Sequence, residues 1–338
     1  MNKTAVIILN YNGEEMLKKY LPSVVSNTQD AEIIIADNCS TDKSVEWIKE
    51  KYPELRIIQL TQNWGFAEGY NKALKEVDSE YYVLLNSDVF TPEGWLKPLI
   101  SYLEEHENCG ACQPKILSDT NKEKFEYAGA AGGYIDYFGY PFCRGRIFDY
   151  VETDTGQYDD IAEIFWASGA CLAIKREIFY KAGTFDSRFF AHQEEIDLCW
   201  RIKTLGYSIK CIPQSIIYHL GGGSLNYESP RKTFLNFRNN AILLYKNLPT
   251  QKYIIVRTAR IFLDLIAAIQ MLLQRKAPNA KAVIMGNIQF IKMKKQFKTD
   301  KKKNISTTTC KKPHGILNHL LLWKVYINKN KTFNQIDF

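Results

Sequence analysis

Three short clusters in this chain have the residue types and spacing to do chemistry. The first, Asn86-Ser87-Asp88, closes the apolar run Tyr81-Tyr82-Val83-Leu84-Leu85. A carboxylate at the end of a buried strand stands at the lip of the crevice where open α/β sheets take ligands, and hard divalent cations accept such oxygen donors against a diphosphate. Taken alone, the stretch reads better as a strand-to-helix loop whose Asp88 merely accepts backbone hydrogen bonds. The second cluster is Glu194-Glu195-Ile196-Asp197, three acids directly after an aromatic loop. Acids favour a first helical turn for dipole reasons, but a carboxylate in a cleft is also a base for a hydroxyl. Neighbours on a helix diverge by about a hundred degrees, so the three acids cannot all face one crevice. Asp197 lies next to the apolar face and is read as an anchor for the helix start or a neighbouring loop. The third cluster is His219, just ahead of Gly221-Gly222-Gly223-Ser224, a candidate metal ligand.

Regular elements must position these groups. Residues 4–9, 32–36, 56–60 and 81–85 are short apolar runs, and the first three are each followed by a stretch with helical spacing. After the fourth, Thr91-Pro92-Glu93 reads as a helix start. Four strand–loop–helix units in the first hundred residues predict a parallel, doubly wound sheet. Each strand ends in Asn, Asp, Ser or Gly, so one edge of the sheet is polar four times over: Asn10-Tyr11-Asn12-Gly13, Asp37-Asn38, Asn63-Trp64-Gly65 and Asn86-Ser87-Asp88. Farther on, residues 109–117 form another apolar segment, and 127–145 read as loops and short strands over the crevice. The small residues Ala167 to Ala170 suit either a strand bulge or close approach by backbone or ligand. A helix from Glu194 to a Gly206 cap is followed by two short strands, 207–212 and 215–220.

Composition narrows the function classes. An apolar content of 46% and a charged content of 24% are those of a globular protein. The net charge of +7 is concentrated in residues 292–312, where nine lysines face one acid, Asp300. The main body is close to neutral and gives no reason to expect nucleic acid as a partner. No GxGxxG follows the first strand and no GxxxxGK[ST] occurs, which disfavours a Rossmann oxidoreductase and a P-loop ATPase. Asn10–Gly13 is not the Gly/Arg/Lys-rich triphosphate loop of a nucleotidylyltransferase. The eight cysteines are scattered as expected of reduced core thiols, and the single CxxC at Cys109 and Cys112 lacks a second ligand pair. The N-terminus enters a strand-like run without a signal-peptide pattern, so the expectation is a cytoplasmic protein.

With these segments in order, residues 3–225 resemble family 2 glycosyltransferases of the GT-A fold, in particular bacterial rhamnosyltransferase-like members. The likeness rests on Val6 to Gly13, Ala36 to Asp42, Asn63 to Asn71, Leu85 to Val89, Glu194 to Leu198 and His219 to Ser224. It implies an α/β GT-A fold, Rossmann-like with a mostly parallel central sheet. The implied function is an inverting hexosyl transfer from a nucleoside-diphosphate sugar, with dTDP-rhamnose the suggested donor, to a glycan or lipid-linked glycan of the bacterial cell envelope. By resemblance, Asn10, Tyr11 and Asp37 hold the donor's base with Asn38 and Asn63 nearby, and Asn12, Gly65, Phe66, Asn71 and Ser87 belong to the same donor-side motifs. Asn86 and Asp88 occupy the DxD position, and His219 is the later ligand of Mg²⁺ or Mn²⁺. Glu195 is the implied catalytic base with Glu194 the alternative, and Trp166 and Gly169 line the acceptor side. Two departures stand out: Asn86 replaces the first acid of DxD, and Glu195 replaces the usual Asp. A nucleotide-sugar-binding protein without transfer activity is the other reading, and intact Asp88, Glu195 and His219 argue against it.

The division expected is a catalytic domain over 1–225, a helical extension over 226–291 and a Lys-rich tail over 292–338. Residues 253–273 are strongly apolar but carry Arg257, Arg260 and Asp264 on one stripe. Those charges argue against a membrane span. They leave an amphipathic helix on the inner face of the cytoplasmic membrane, or an ordinary helical subdomain packed on the catalytic domain.

Overall fold

Alternation along the first strands decides which layer each side chain joins. In β1 (Thr4–Asn10), Ala5 and Ile7 enter one core cluster and Val6 and Ile8 the other. The same split repeats in β2 (Glu32–Asp37) and in β4 (Tyr81–Leu85). Strands buried on both faces belong to a sheet covered by helices on both sides. The computed structural model, which describes residues 3–221, 229–336 and 338, has that arrangement. Helices α1 (Glu14–Asn27), α2 (Ser44–Lys51) and α3 (Gly65–Ala73) alternate with β1, β2, β3 (Arg56–Gln59) and β4.

After β4 the chain departs from simple alternation. The helix expected at Thr91-Pro92-Glu93 is instead β5 (Val89–Phe90), a turn through Gly94 at φ +74°, and α4 (Lys97–Glu105). The left-handed Gly94 stops a helix from starting earlier. Next come β6 (Cys109–Ser118) and four short strands, β7 (Gly133–Asp136), β8 (Pro141–Cys143), β9 (Arg146–Ile147) and β10 (Tyr150–Val151). Then follow β11 (Ala162–Glu163), β12 (Cys171–Lys175), α5 (Arg176–Lys181), α6 (Glu194–Thr204) and β13 (Ser208–His219). β13 is a single strand where two were expected. Its register with β6 breaks between Ile212 and Ile216, around Pro213, and then resumes. Cys109 and Cys112 are both buried free thiols inside β6.

The main sheet runs β11-β13-β6-β12-β4-β1-β2-β3, with β5 paired to β13. β1 to β4 pair in parallel, as do β6 and β13, while β12 is antiparallel to both its neighbours. The parallel register sets Asn10 beside Asp37, so the carboxyl ends of β1, β2 and β4 form one polar edge.

Beyond the described stretch that resumes at Ser229, α7 (Pro230–Asn247) leads into α8 (Thr250–Leu273) and α9 (Ala277–Met293). Ser229 caps α7 by accepting from the Lys232 amide. The lysine-rich stretch forms α10 (Lys298–Ser306), and β14 (Ile316–Leu317) then adds in parallel to β7, completing a five-stranded sheet ahead of α11 (Leu321–Tyr326).

Candidate active site

At the carboxyl edge, Asn10 is a hub. Its amide donates to Asp37 Oδ1 at 3.0 Å, Ser40 Oγ at 3.1 Å and Ser44 Oγ at 2.9 Å, and its own Oδ1 is buried without a partner. Asp37 also accepts from the Ser40 amide at 3.1 Å. Asn12, in the left-handed region at φ 51°, accepts from the Thr41 amide at 2.7 Å. Tyr11 beside it is 49% exposed, a flat ring at the mouth of the crevice.

A continuous chain of contacts joins this edge to the other clusters. Asn38 donates to Asn63 Oδ1 and to the Gly65 carbonyl, and accepts from the Trp64 amide. Gly65 has φ +73°, and a Cβ there would lie 2.8 Å from the Phe190 ring, so only glycine fits. The Phe66 amide donates to the Phe190 carbonyl at 3.0 Å, and its ring tip would sit 3.1 Å from a Cβ on Gly169. The neighbouring Ala170 carbonyl accepts from the Asn86 amide at 3.0 Å. Asn86 then reaches His219 Nε2 at 3.4 Å, and that nitrogen lies 3.1 Å from Asp88 Oδ1. Ser87 is half-buried in the turn between Asn86 and Asp88.

His219 is held between two carboxylates, Asp88 on Nε2 and Glu126 at 3.4 Å from Nδ1, too poorly aligned for a hydrogen bond on that side. Burial works to lower the imidazole pKa, but the Glu126 charge and the Asp88 bond outweigh it and push it up to about 10. Burial likewise works to raise the Asp88 carboxyl, and the bond and charge of His219 leave it below its ordinary value. The pair fits a divalent cation: an oxygen and a nitrogen donor meet at one point, with a carboxylate behind the second ring nitrogen, a usual companion of metal-bound histidine. Such a cation must displace the imidazole proton. Among the described residues no group of three His, Cys, Asp or Glu has metal-holding geometry, so further ligands would come from phosphate or water. Gly222, Gly223 and Ser224 of the expected motif lie outside the described residues.

The acids open α6. Glu194 is 4% exposed and Glu195 half-buried, and each has a buried Oε2 with no hydrogen-bond partner. Burial pushes the Glu195 carboxyl up to about 7. Burial, then the neighbouring Glu195 charge, raise Glu194 well above the carboxylate range. Asp197 is wholly different: fully buried, it accepts from Lys246 at 2.7 Å, Asn247 at 2.9 Å and Arg201 at 3.0 Å. It ties α6 to α7, the anchoring role read from its place on the helix.

Two expected residues are engaged elsewhere. Trp166 is 3% exposed, donates its indole N–H to the Tyr134 carbonyl at 2.8 Å and packs flat on Gly133, where a Cβ would be 2.1 Å from the ring. It is a core side chain. Asn71 spends its amide on the Phe185 backbone, donating at 2.8 Å and accepting at 3.1 Å. It lines a cavity of about 380 Å³, with Glu68, Asp186, Arg201 and Lys246, that none of the other candidate residues touches.

Sequence reasoning missed Glu126, which sits in an irregular stretch with no periodicity to mark it, and Asn239. The Asn239 amide donates to the carbonyls of Phe189, Ala191 and His192 at 3.1, 2.8 and 2.6 Å. It clamps the loop that carries the two glutamates. The run Arg238-Asn239-Asn240 directly ahead of the apolar Ala241-Ile242-Leu243-Leu244 was the available signal.

Residues 5–183 match the family described as glycosyl transferase family 2. The chain is 22% identical over 231 residues to an N-acetylglucosaminyl-diphospho-decaprenol L-rhamnosyltransferase of Mycobacterium tuberculosis, covering 63% of this chain and 75% of that one. It is 23% identical over 303 residues to the low-salt glycan biosynthesis hexosyltransferase Agl10 of Haloferax volcanii, covering 86% and 92%. Among solved structures it is similar to a mannosyltransferase of Pyrobaculum calidifontis in complex with GDP-Man and Mn²⁺, with a TM-score of 0.52 at 14% identity over 90% of this chain and 85% of that one. The fold is GT-A, a curled mixed α/β sheet with a helical C-terminal region.

Proposed function

The chain belongs to glycosyl transferase family 2, and from that premise we propose that this glycosyltransferase moves a sugar from a nucleoside diphosphate to a glycan acceptor by a single displacement with inversion. The observation that carries the reading is the pair Glu194 and Glu195, whose buried Oε2 atoms have no partner, on the helix that follows the Phe190 loop bonded to Phe66 beside the Asn38–Gly65 contact. On this reading Asn10, Tyr11, Asn12, Asp37, Asn38 and Asn63 hold the nucleoside. Asp88 and His219 would hold Mg²⁺ or Mn²⁺, which when bound neutralises charge on the departing diphosphate. Glu195 accepts the proton of the attacking hydroxyl at its free oxygen. A base with a pKa near 7 is matched to that task, because it is ionised at working pH and still basic.

The relative named as an N-acetylglucosaminyl-diphospho-decaprenol L-rhamnosyltransferase supports rhamnose as the sugar, with dTDP-rhamnose the proposed donor, and a lipid-linked glycan as the acceptor, and the glycan-biosynthesis hexosyltransferase supports hexosyl transfer. A lipid-linked acceptor would place the enzyme at the inner face of the cytoplasmic membrane. The test is thermal shift of the full chain against a panel of nucleotide sugars with Mn²⁺, followed by transfer and donor hydrolysis with whichever binds. Stabilisation by one donor with turnover is expected. Stabilisation without hydrolysis or transfer would leave a nucleotide-sugar-binding protein.

A further inference from the structure

Helix α8 is packed with its polarity reversed. On α8, Arg257, Arg260 and Asp264 are buried at 8, 4 and 3% exposure, whereas Ile255, Phe262, Ile266 and Leu273 are 62, 63, 60 and 81% exposed. At about 100° per residue the four apolar positions fall on one stripe and the three charged positions on the opposite face. The inward charges are compensated: Arg260 donates to Asp264 Oδ1 at 3.0 and 3.1 Å and to the Phe138 carbonyl at 3.2 Å. Asn287 of α9 donates to Asp264 Oδ2 at 3.2 Å and accepts from Arg257. A roll that hid the apolar stripe would break the bonds of Arg260 to the Phe138 carbonyl and of Asp264 and Arg257 to Asn287. In all, nine large apolar side chains of α8 and four of α9 are exposed.

A contiguous apolar surface of this kind marks a docking face, and the charges around it identify what docks. From Thr250 to Met293 the sequence holds seven lysines and arginines and a single acid, Asp264, which is the buried one. Arg275, Lys281 and Lys292 are exposed around the stripe. A second copy related by two-fold symmetry would bring the same cations face to face. An anionic lipid surface accepts both the stripe and its cationic rim. Among the described residues no helix is long and apolar enough to cross a membrane.

We infer that α8 and α9 form a hairpin that lies in the plane of an anionic bilayer surface, with the apolar stripe at the acyl boundary and the basic rim among the headgroups. The inference names the lipid partner of the proposed glycosyltransferase but stands on the hairpin alone. The full chain is floated with phosphatidylcholine vesicles with and without phosphatidylglycerol. Binding to the anionic vesicles, weakening as salt rises, is expected. The double variant Phe262→Glu with Ile266→Glu, both on the exposed stripe, should keep its melting temperature and lose vesicle binding about tenfold or more. Absent binding by the wild-type chain, or equal binding by the variant, overturns the inference. So does a wild-type dimer that the variant dissolves, with no vesicle binding by either. The donor-induced thermal shift, measured alongside, reads the catalytic reading separately, since it needs no lipid.

Discussion

Glu194 and Glu195 are adjacent in sequence but unequal in setting: the first is shut away, the second half-buried. Glu195→Gln keeps the size of the side chain and removes the proton acceptor. It should preserve donor-induced thermal shift and slow transfer by about a hundredfold or more. Glu194→Gln, measured beside it, should transfer at a rate closer to wild type; the reverse ranking would move the base by one residue. The pH dependence has a definite sign. With Glu195 raised to about 7, the folded chain holds a proton that an unfolded glutamate releases near its ordinary pKa of about 4.3. Its contribution to stability is present below that lower value and is lost as pH rises to about 7. Transfer should rise across the same window, with a midpoint near 7 that Glu195→Gln abolishes. Asp88→Ala is the matching test on the cation side. It should erase the Mn²⁺-dependent part of the donor thermal shift while His219 keeps Glu126 as its charge partner. An undiminished Mn²⁺ response would move the cation elsewhere.

At the scale of elements, the strand ends were readable because a period-two apolar pattern bounded by Asn, Asp and Gly has few other meanings. Asn10, Asp37, Asn86 and Asp88 came from that pattern, and the parallel register does set Asn10 beside Asp37. Trp166 is less legible, because an aromatic beside small residues reads the same whether it lines a cleft or packs on a glycine such as Gly133. The loop ahead of α6 was not legible at all. Phe190, His192 and Gln193 all have positive φ, at 66, 69 and 69°, without being glycine. Such backbone persists only where surroundings over-determine it. Here α7 does so, through Asn239, through Arg238 on the Phe189 carbonyl at 2.8 Å, and through Asn240 on Gln193 at 3.2 Å. Asn239→Ala removes the donor of the Ala191 and His192 carbonyls, while Phe189 keeps Arg238, at about 1–3 kcal/mol for a buried unpaired group. Donor-induced thermal shift should survive, because no nucleoside residue touches Asn239, while kcat falls. A purely structural effect would leave the pH midpoint of transfer near 7. Loss of loop positioning should bring it down toward the ordinary carboxylate range, as Glu195 is hydrated.

Over the whole molecule, the C-terminal region is where local patterning says least, because its partners lie far off in sequence, 53 residues away for Lys301 and 185 for Leu321. A lysine-rich tail was the natural reading of residues 292–312, yet Lys301 is buried and donates to the Leu248 carbonyl at 2.8 Å. Beyond it, β14 pairs with β7, and the Leu321 amide donates to Asp136 Oδ2 at 2.9 Å. Leu317 and Leu321 are fully buried, and Phe333 and Phe338 stack against Tyr134 and Phe142. The last twenty-odd residues thus complete the core beneath the five-stranded sheet and are not an appendage, so deletion is a poor way to probe the helical hairpin. Leu321→Ala tests this directly. Truncating a fully buried leucine costs about 2–5 kcal/mol, as the lost transfer energy adds to that of the cavity left behind. A solvated tail would cost almost nothing. The measurement is urea unfolding of the full chain. A midpoint that shifts by the corresponding amount, with unchanged slope, shows that residues 313–338 fold as part of the catalytic body. An unmoved midpoint would return them to the status of a tail.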